Sequence, residues 1–321
     1  MPRYILECSS LNLDLLDNEI RALSNNFGDF DIESRINQVF VISGNWKTVT
    51  QSSFVNTVSE IVQVADSPRD FDSRRIPDGK YYVRLKQYSR VPEPYTESAI
   101  GAILQAEGRV SFTEPNFVIR VIRAERWYLC ILRYERDRKE LEQRRAPMRP
   151  FFSPVSLHPK FGRYLVNVSM TKPGDLILDP FCGTGGILIE AAMMGRRIIG
   201  SDISLSMVMG ARLNLKYFGY SDAKIIHSSV SHLDLDEKAA AIITDMPYGR
   251  NSSLHGDNIE QLYQESFTAF YNLLADKGHC ALIVGDSRLL ELSREFFTLV
   301  SMVPVPQHKS LTRYFSVLRK K

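Results

Sequence analysis

The sequence contains few cysteines and no long apolar run. Its four cysteines lie far apart in 321 residues, and neither a CxxC pair nor an HExxH motif is present. A disulfide scaffold and a metal site are therefore not expected, and the cysteine usage is typical of a reducing, cytoplasmic compartment. No apolar run approaches the roughly 20 residues that span a bilayer. The first ten residues lack the basic and apolar segments of a signal peptide, so we expect none.

The composition is that of an ordinary globular protein. Hydrophobic residues make up 44% of the chain and charged residues 24%, which excludes collagen-like, low-complexity and wholly disordered chains. The length predicts two or three domains. Charge is unevenly distributed: residues 1–66 hold 4 basic against 9 acidic residues, whereas residues 119–149 hold 10 basic against 5 acidic. This contrast indicates either a local anion-binding surface or a solvated hairpin and linker.

Residues 1–66 predict a small α+β unit. Short apolar runs at 4–8 and 39–42 are typical of strands, and two other stretches have apolar residues at helical spacing. The residues that carry the helical spacing are Leu11, Leu15, Leu16, Ile20 and Leu23 in the first stretch and Phe54, Val55, Val58, Ile61, Val62 and Ala65 in the second. We therefore expect the order strand, helix, strand, helix.

Residues 67–136 predict a second, more basic α+β unit. Strands are expected at 81–87, 117–123 and 127–133, and a helix at about 95–107. Arg120 interrupts an apolar strand, which suits a sheet that is covered mainly on one face. Basic side chains near the strand ends, with Tyr and Trp close by, favour contacts with an RNA backbone and its bases, but the same residues are common on ordinary sheet surfaces.

A linker and then a new pattern follow. Residues 137–155 are dense in charge and then in proline, which is typical of a domain boundary. From about residue 156 strands and helices alternate, as in a parallel sheet with helices on both faces. The expected strands are 175–179, 197–202, 224–229, 240–245, 279–285 and 314–318.

The most specific motif lies where the first of these strands ends. Residues 179–190 read DPFCGTGGILIE, so Asp179 ends a strand, a glycine turn follows and a helix begins. Glycines let the backbone approach a nucleotide-like ligand, and a helix N-terminus offers free N–H groups. The next strand ends in Asp202, where an acid accepts hydrogen bonds from ribose hydroxyls.

Two cofactors compete for this pattern. A dehydrogenase fingerprint needs a third glycine, where this chain has Leu188, and it does not need an acid directly before the loop. Asp179 is placed to hold the ammonium group of a ligand. An ammonium group together with a ribose favours S-adenosylmethionine over NAD, with the adenosine resting against Ile203.

A second motif, DMPYG, occupies residues 245–249 at the end of the fourth strand. In a doubly wound sheet that strand neighbours the first, so the motif faces the glycine loop across the topological switch point. Asp245 and the carbonyl of Met246 can hold an exocyclic amine by its two hydrogens in a turn shaped by Pro247, and Tyr248 can stack on the base. The amine lone pair then points at an electrophilic methyl group, a displacement governed by positioning.

These motifs resemble those of class I methyltransferases that act on amino groups, and specifically of the archaeal tRNA guanine-10 N2-methyltransferases. The resemblance also includes RPFFSPVSLHP (149–159), GSDIS (200–204) and HKSLTRYFSVL (308–318). It implies an α/β fold in which a Rossmann-like methyltransferase domain with a seven-stranded mixed sheet spans 156–321. The same resemblance implies a ferredoxin-like domain at 1–66, a THUMP domain that binds tRNA at 67–136, and a linker at 137–155.

The resemblance further implies roles for individual residues. The methionine end of S-adenosylmethionine is assigned to Asp179, Phe181, Gly183 and Gly185, and its ribose to Asp202. The guanine is assigned to Asp245, the Met246 carbonyl, Pro247 and Tyr248.

Two positions depart from the family pattern. Relatives usually carry an acid after the third strand for the adenine amine, whereas this chain has Ser228 and Ser229; we expect Ser229 to accept that bond. The motif reads DMPY where DPPY or NPPY is commoner, and Met246 keeps its carbonyl available.

The sequence thus predicts a cytoplasmic, S-adenosylmethionine-dependent enzyme that methylates N2 of guanine 10 in tRNA once or twice, acting as a monomer without an activator subunit. The same motif serves adenine-N6 methyltransferases and glutamine methyltransferases of release factors. The basic N-terminal region argues against a protein substrate, and its THUMP-like pattern favours RNA over DNA. Guanine N2 at another RNA site and a non-catalytic tRNA-binding protein are the remaining alternatives.

Overall fold

A computed structural model describes residues 1–89, 91–104, 109–137, 139–154, 156–248, 259–308 and 311–321. The chain forms two compact units. The first consists of Met1–Thr50 and Phe54–Asp137, and the second of Gln51–Ser53 and Arg138–Lys321. No helix within these described ranges is both long and apolar enough to cross a membrane.

In its described residues the first unit contains an eight-stranded sheet and two α-helices. Its elements are β1 (Arg3–Cys8), α1 (Leu13–Phe27), β2 (Phe30–Ile36), β3 (Val39–Gly44), β4 (Val55–Ala65), β5 (Lys80–Gln87), α2 (Glu97–Leu104), β6 (Arg109–Val110), β7 (Phe117–Arg123) and β8 (Trp127–Glu135). The strand order is β2-β3-β1-β4-β8-β7-β5-β6. The sheet therefore runs without a break across the domain boundary that the sequence predicts at residue 66, and the assignment of ferredoxin-like and THUMP domains stays a prediction.

Helix α1 forms where its apolar spacing predicts it. Leu15, Leu16, Ile20 and Leu23 are all fully buried. The side chain of Asn12 caps the first turn by accepting hydrogen bonds from two backbone N–H groups, and Gly28 ends the helix with a φ of 65°. The helix predicted at about 95–107 is α2, and residues 105–107 lie outside the described part of the chain.

The second predicted helix is wrong, because its residues form strand β4. This strand pairs with β1 on one side and β8 on the other. The register between β4 and β8 shifts twice, between Val58 and Ser59 and again between Ile61 and Gln63. Each bulge breaks the two-residue alternation of a strand, so that the apolar residues fall at three- and four-residue spacings as in a helix. The β-branched valines and isoleucines were the better signal, since they favour strands.

The uneven charge of the sequence is largely neutralised across this sheet. The sequence predicts a sheet that is covered mainly on one face, with Arg120 on the open face. In the structure Arg120 is buried and forms an ion pair with Glu7, so this prediction is wrong. Further ion pairs join arginines of β7 and β8 or their turn to acids from other elements, namely Arg123–Glu93, Arg126–Asp66 and Arg133–Glu60. Much of the predicted basic surface therefore consists of paired charges.

The second unit contains a seven-stranded sheet with helices. Its elements are α3 (Lys139–Glu142), α4 (Pro159–Val168), β9 (Leu176–Asp179), α5 (Gly186–Met193), β10 (Arg197–Asp202), α6 (Leu205–Tyr217), β11 (Lys224–His227), β12 (Ala239–Asp245), α7 (Ile259–Leu273), β13 (Leu274–Val284), β14 (Phe297–His308) and β15 (Leu311–Lys320). The segment predicted as a linker contributes to this unit, because the buried Arg144 forms an ion pair with Glu190 of α5.

The order of this sheet is β11-β10-β9-β12-β13-β15-β14. Strands β9 to β13 pair in parallel, and β15 pairs antiparallel with both β13 and β14. The predicted α/β fold with a seven-stranded mixed sheet is thus confirmed. The chain moves outward from β9 and returns at β12, so the topological switch point lies between these two neighbouring strands, where open α/β sheets bind ligands.

Apolar clusters cover both faces of the sheet and hold its strand ends in place. Tyr263, Phe267 and Phe270 of α7 pack on one face, and all three are fully buried. Leu188 of α5 and Val208 of α6 belong to the cluster on the other face. Burying side chains of this size stabilises the fold by about 1.5–3 kcal/mol each, and this packing holds the carboxyl ends of β9 and β12 in position.

Candidate active site

The glycine turn between β9 and α5 adopts the conformation that its sequence predicts. Gly183 and Gly185 have φ angles of 51° and 79°, which side chains other than glycine rarely adopt. A Cβ atom on Gly185 would also lie 3.4 Å from the Cβ of Ala211 in α6. The turn therefore leads directly into α5, and because nothing lies within 4 Å of a Cβ atom placed on Gly183, a ligand at the switch point can approach the chain there.

Asp179 lies at the end of β9 and is 1% exposed. Its Oδ1 accepts hydrogen bonds from Thr244 Oγ1 at 2.6 Å and from the Phe181 N–H at 3.3 Å. Burial raises its pKa to about 7, against these two hydrogen bonds, which lower it. A cationic ligand group beside this carboxylate would stabilise its ionised form, so Asp179 suits the ammonium group that the sequence assigns to it.

Asp202 organises the same turn from the end of β10. Its Oδ2 accepts from the Gly183 N–H and its Oδ1 from the Ser204 N–H, both at 2.9 Å. The adjacent Ile203 is 70% exposed, an apolar side chain of the kind that an adenosine ring system could cover. Asp202 and Ile203 therefore lie on the cofactor side of the switch point.

Ser229 follows β11 at the same edge of the sheet. Its hydroxyl lies 2.8 Å from Nδ1 of His232 and 3.1 Å from the hydroxyl of Ser231. A hydroxyl has one donor proton and two acceptor lone pairs, so Ser229 can still accept from an adenine amine. Its role in binding adenine stays a prediction.

The second motif lies at the end of β12, next to β9. The Oδ1 atom of Asp245 is buried and has no hydrogen-bond partner among the described residues. Burial raises the pKa of Asp245 to about 6, and the positive charge of Arg313 opposes the rise. An unpaired buried carboxylate oxygen is costly, and a bound amine would satisfy it.

The turn after Asp245 is held by contacts that the sequence did not reveal. The Met246 N–H donates to the Ile283 carbonyl at 2.9 Å, and the Tyr263 hydroxyl donates to the Pro247 carbonyl at 3.2 Å. The Met246 side chain is 1% exposed and belongs to the core. Burial raises the pKa of the Tyr263 hydroxyl, so it remains a donor.

Tyr248 packs directly against a glycine. A Cβ atom on Gly285 would lie 2.8 Å from both Cβ and Cγ of Tyr248, closer than real side chains approach. Burial raises the pKa of the Tyr248 hydroxyl to about 12, so the ring is neutral and suited to stacking. Gly249, the last residue of the motif, lies outside the described part of the chain.

The two motifs meet through Thr244, the residue before Asp245. Because its hydroxyl donates to Asp179, one side chain of β12 fixes the carboxylate of the cofactor loop while the next residue, Asp245, ends the strand. Sequence reasoning missed this contact, although Thr244 is the one polar residue within the apolar run AAAIIT. The same reasoning missed Gly285, Tyr263 and Arg313, which come from separate elements.

The predicted site residues are therefore brought to one edge of one sheet. The open space beside Gly183, the buried carboxylate of Asp179 and the exposed Ile203 fit S-adenosylmethionine. Among the residues that the structure describes, no group of three or more His, Cys, Asp or Glu side chains is placed to hold a metal ion.

Comparison with known proteins also indicates a methyltransferase. A family model described as "RMKL-like, methyltransferase domain" matches residues 146–305. The tRNA (guanine(10)-N2)-dimethyltransferase of Methanothermobacter thermautotrophicus is 36% identical over 287 residues, which cover 86% of this chain and 85% of that protein. The enzyme of the same name from Methanocaldococcus jannaschii is 30% identical, with coverage of 84% and 77%.

A solved structure shares the fold over the full length. The crystal structure of TrmN from Thermus thermophilus has a TM-score of 0.59 at 20% identity, and the alignment covers 99% of this chain and 100% of that one. With the extensive sequence identity to the archaeal enzymes, the resemblance predicted from the motifs is confirmed. The chain belongs to the tRNA (guanine(10)-N2)-dimethyltransferase family and is a class I methyltransferase.

Proposed function

We propose that this protein transfers methyl groups from S-adenosylmethionine to the exocyclic N2 of guanine 10 in tRNA, giving N2-methylguanosine and then N2,N2-dimethylguanosine. The observation that carries the proposal is the buried Oδ1 of Asp245, which has no hydrogen-bond partner among the described residues; Asp245 follows Thr244, whose hydroxyl donates to Asp179. The two archaeal relatives named above support the choice of substrate atom and position.

The cofactor residues are those at the ends of β9, β10 and β11. Asp179 holds the ammonium group, the backbone at Gly183 and Gly185 lies along the methionine portion, and Asp202 accepts from the ribose. Phe181, Ile203 and Ser229 complete the site. When bound, S-adenosylmethionine supplies an electrophilic methyl group.

Asp245 acts on the amine that receives the methyl group. The N2 lone pair of guanine is delocalised into the ring, which makes it a poor nucleophile. In the first transfer, a hydrogen bond from N2–H to Asp245, with the second N2–H donated to the Met246 carbonyl, favours a pyramidal nitrogen whose lone pair is directed. In the second transfer, the one remaining N2–H is donated to Asp245. Asp245 then accepts the proton that the nitrogen loses, and its pKa of about 6 leaves it ionised at neutral pH.

Tyr248 provides the surface for the base. A guanine inside a folded RNA arm must leave the stack, at a cost of a few kcal/mol. Stacking on an aromatic side chain recovers about 1–3 kcal/mol. Pro247 and the hydrogen bond from Tyr263 fix the turn, so that Tyr248 keeps its position against Gly285.

We further propose that the first unit binds the tRNA as a THUMP-containing module and that the protein acts in the cytoplasm as a monomer without an activator subunit. Since most arginines of β7 and β8 are paired, this role rests on the family relationship more than on net charge.

The test is an incubation of the purified protein with S-adenosylmethionine and unmodified tRNA transcripts, followed by nucleoside digestion and mass spectrometry. The matched control transcript carries adenine in place of guanine 10. N2-methylated guanosine that disappears with the control transcript supports reaction and position together. N6-methyladenosine, or no methylated nucleoside despite cofactor binding, overturns the proposal.

A further inference from the structure

An arginine from the C-terminal hairpin lies beside the site of the base. Arg313 belongs to β15, in which the next residue, Tyr314, pairs with Val284 of β13. Strand β13 ends there, and the following Gly285 packs against Tyr248. The guanidinium carbon of Arg313 lies 5.5 Å from the centroid of the Tyr248 ring, although about 65 residues separate the two in sequence.

The hydrogen-bonding capacity of Arg313 is not used up within the site. Its Nε is buried and has no hydrogen-bond partner in the described part of the chain. The guanidinium donates a hydrogen bond to the Tyr248 hydroxyl, and its positive charge acts on both Asp245 and Tyr248. A guanidinium has five N–H donors and no acceptor, so a buried, unpartnered Nε indicates that an acceptor from a ligand belongs beside it.

The chemistry of guanine supplies such acceptors. In the proposed function Asp245 and the Met246 carbonyl engage the N2 amine and Tyr248 engages the ring face, which leaves O6 and N7, on the Hoogsteen edge, among the polar groups still unpaired. Both are acceptors, and arginine is the side chain that most often pairs with them. 2-Aminopurine has a hydrogen and 2,6-diaminopurine an amine where guanine has O6, and neither group can accept from an arginine.

We propose that Arg313 donates hydrogen bonds to the O6 edge of the target guanine and thereby selects guanine among purines that carry a 2-amine. The proposal rests on the function proposed above and adds a base-reading residue to it. Selection by Arg313 is separate from the chemistry at N2, because a purine without O6 still offers the same amine to Asp245.

The experiment compares two tRNAs that differ only at position 10, one with guanosine and one with 2-aminopurine, which keeps the 2-amine but lacks O6. Methyl transfer is measured as kcat/KM for the wild-type protein and for Arg313→Met, Arg313→Lys and Arg319→Met. Arg319 is an exposed arginine of the same strand and serves as the matched control. Affinity for S-adenosylmethionine shows that each variant is folded.

The wild type and Arg319→Met should prefer guanosine by about tenfold or more. Arg313→Met should lose rate on guanosine and change little on 2-aminopurine, so that the preference falls to about threefold or less. Arg313→Lys replaces the planar guanidinium with a compact ammonium group and should give an intermediate preference for guanosine. This variant serves as the test if the methionine variant does not fold.

Equal losses on both substrates in the Arg313 variants would overturn the proposal, since they would place Arg313 on the RNA backbone or in a structural role. A wild-type protein that methylates neither tRNA would instead refute the proposed function. The two failures are therefore distinguishable in one experiment.

Discussion

Thr244→Val removes one hydroxyl from the centre of the site without changing side-chain shape. The lost group donates to Asp179 Oδ1 at 2.6 Å, and hydrogen bonds to charged groups are worth about 1.5–3 kcal/mol. Since about 1.4 kcal/mol corresponds to one pKa unit, the pKa of Asp179 should rise from about 7 by about 1 to 2. At pH 7 the ionised fraction of Asp179 then falls about 5- to 50-fold.

This loss should appear as weaker cofactor binding, because only the ionised carboxylate attracts the ammonium group of S-adenosylmethionine. Isothermal titration calorimetry between pH 6 and 7.5 measures it. The wild-type affinity should rise with pH and begin to level off as the pH passes about 7, the pKa of Asp179, whereas that of Thr244→Val should still be rising steeply at the end of this range. Thr244→Ser restores the hydroxyl and should restore binding, and Thr268→Val removes an exposed hydroxyl of α7 and should have no effect.

The reasoning is refuted if Thr244→Val binds the cofactor at pH 7 as tightly as the wild type and with the same pH dependence. Weaker binding that is equal at every pH would also contradict it, because a change in the ionisation of Asp179 must depend on pH.

Three further predictions concern the side of the site that holds the base. Asp245→Ala should abolish methyl transfer while leaving the Kd for S-adenosylmethionine nearly unchanged; mass spectrometry and calorimetry check the two halves, and wild-type turnover would contradict the assignment. Since Asp245 acts in its ionised form, kcat/KM should be lost as the pH falls through about 6, and a flat pH–rate profile between pH 5 and 7 would argue against this role. Gly285→Ala should displace Tyr248, whose Cγ would lie 2.8 Å from the new methyl group, and lower kcat/KM for tRNA by about tenfold or more; Gly101→Ala, where a Cβ atom meets nothing within 4 Å, is the control.

The strands that carry the motifs of the methyltransferase unit could be predicted because they are short and end at chemically distinctive residues. Asp179, Asp202 and Asp245 each end a strand in the structure, as their positions in the motifs predict. Parallel strands bring such ends to a common edge, so their proximity followed from the alternation of strands and helices. Strand β14 has no motif and exposed residues at 299 and 300, and the sequence did not indicate it.

The first unit was harder to predict because its sheet is antiparallel over most of its width and contains bulges. The apolar residues of β4 have helical spacing only because the register between β4 and β8 shifts twice. Such a shift depends on the partner strand, so the sequence of β4 alone does not reveal it. The contrast in charge had a similar origin: acids of β1 and β4 form ion pairs with arginines of β7 and β8. A charge count along one chain segment cannot separate a pair across a sheet from a surface that binds RNA.

The same limit explains which residues of the site remained hidden. Motifs identify residues that are close in sequence, such as Asp245 and Tyr248, whereas the contacts that adjust their chemistry come from other elements. Thr244 reaches Asp179 because β12 lies beside β9. Arg313 reaches Tyr248 because β15 runs antiparallel to β13, with Tyr314 opposite Val284. A one-residue slip of β15 would point Arg313 to the other face of the sheet, so the selectivity for guanine proposed here depends on the register of the C-terminal hairpin.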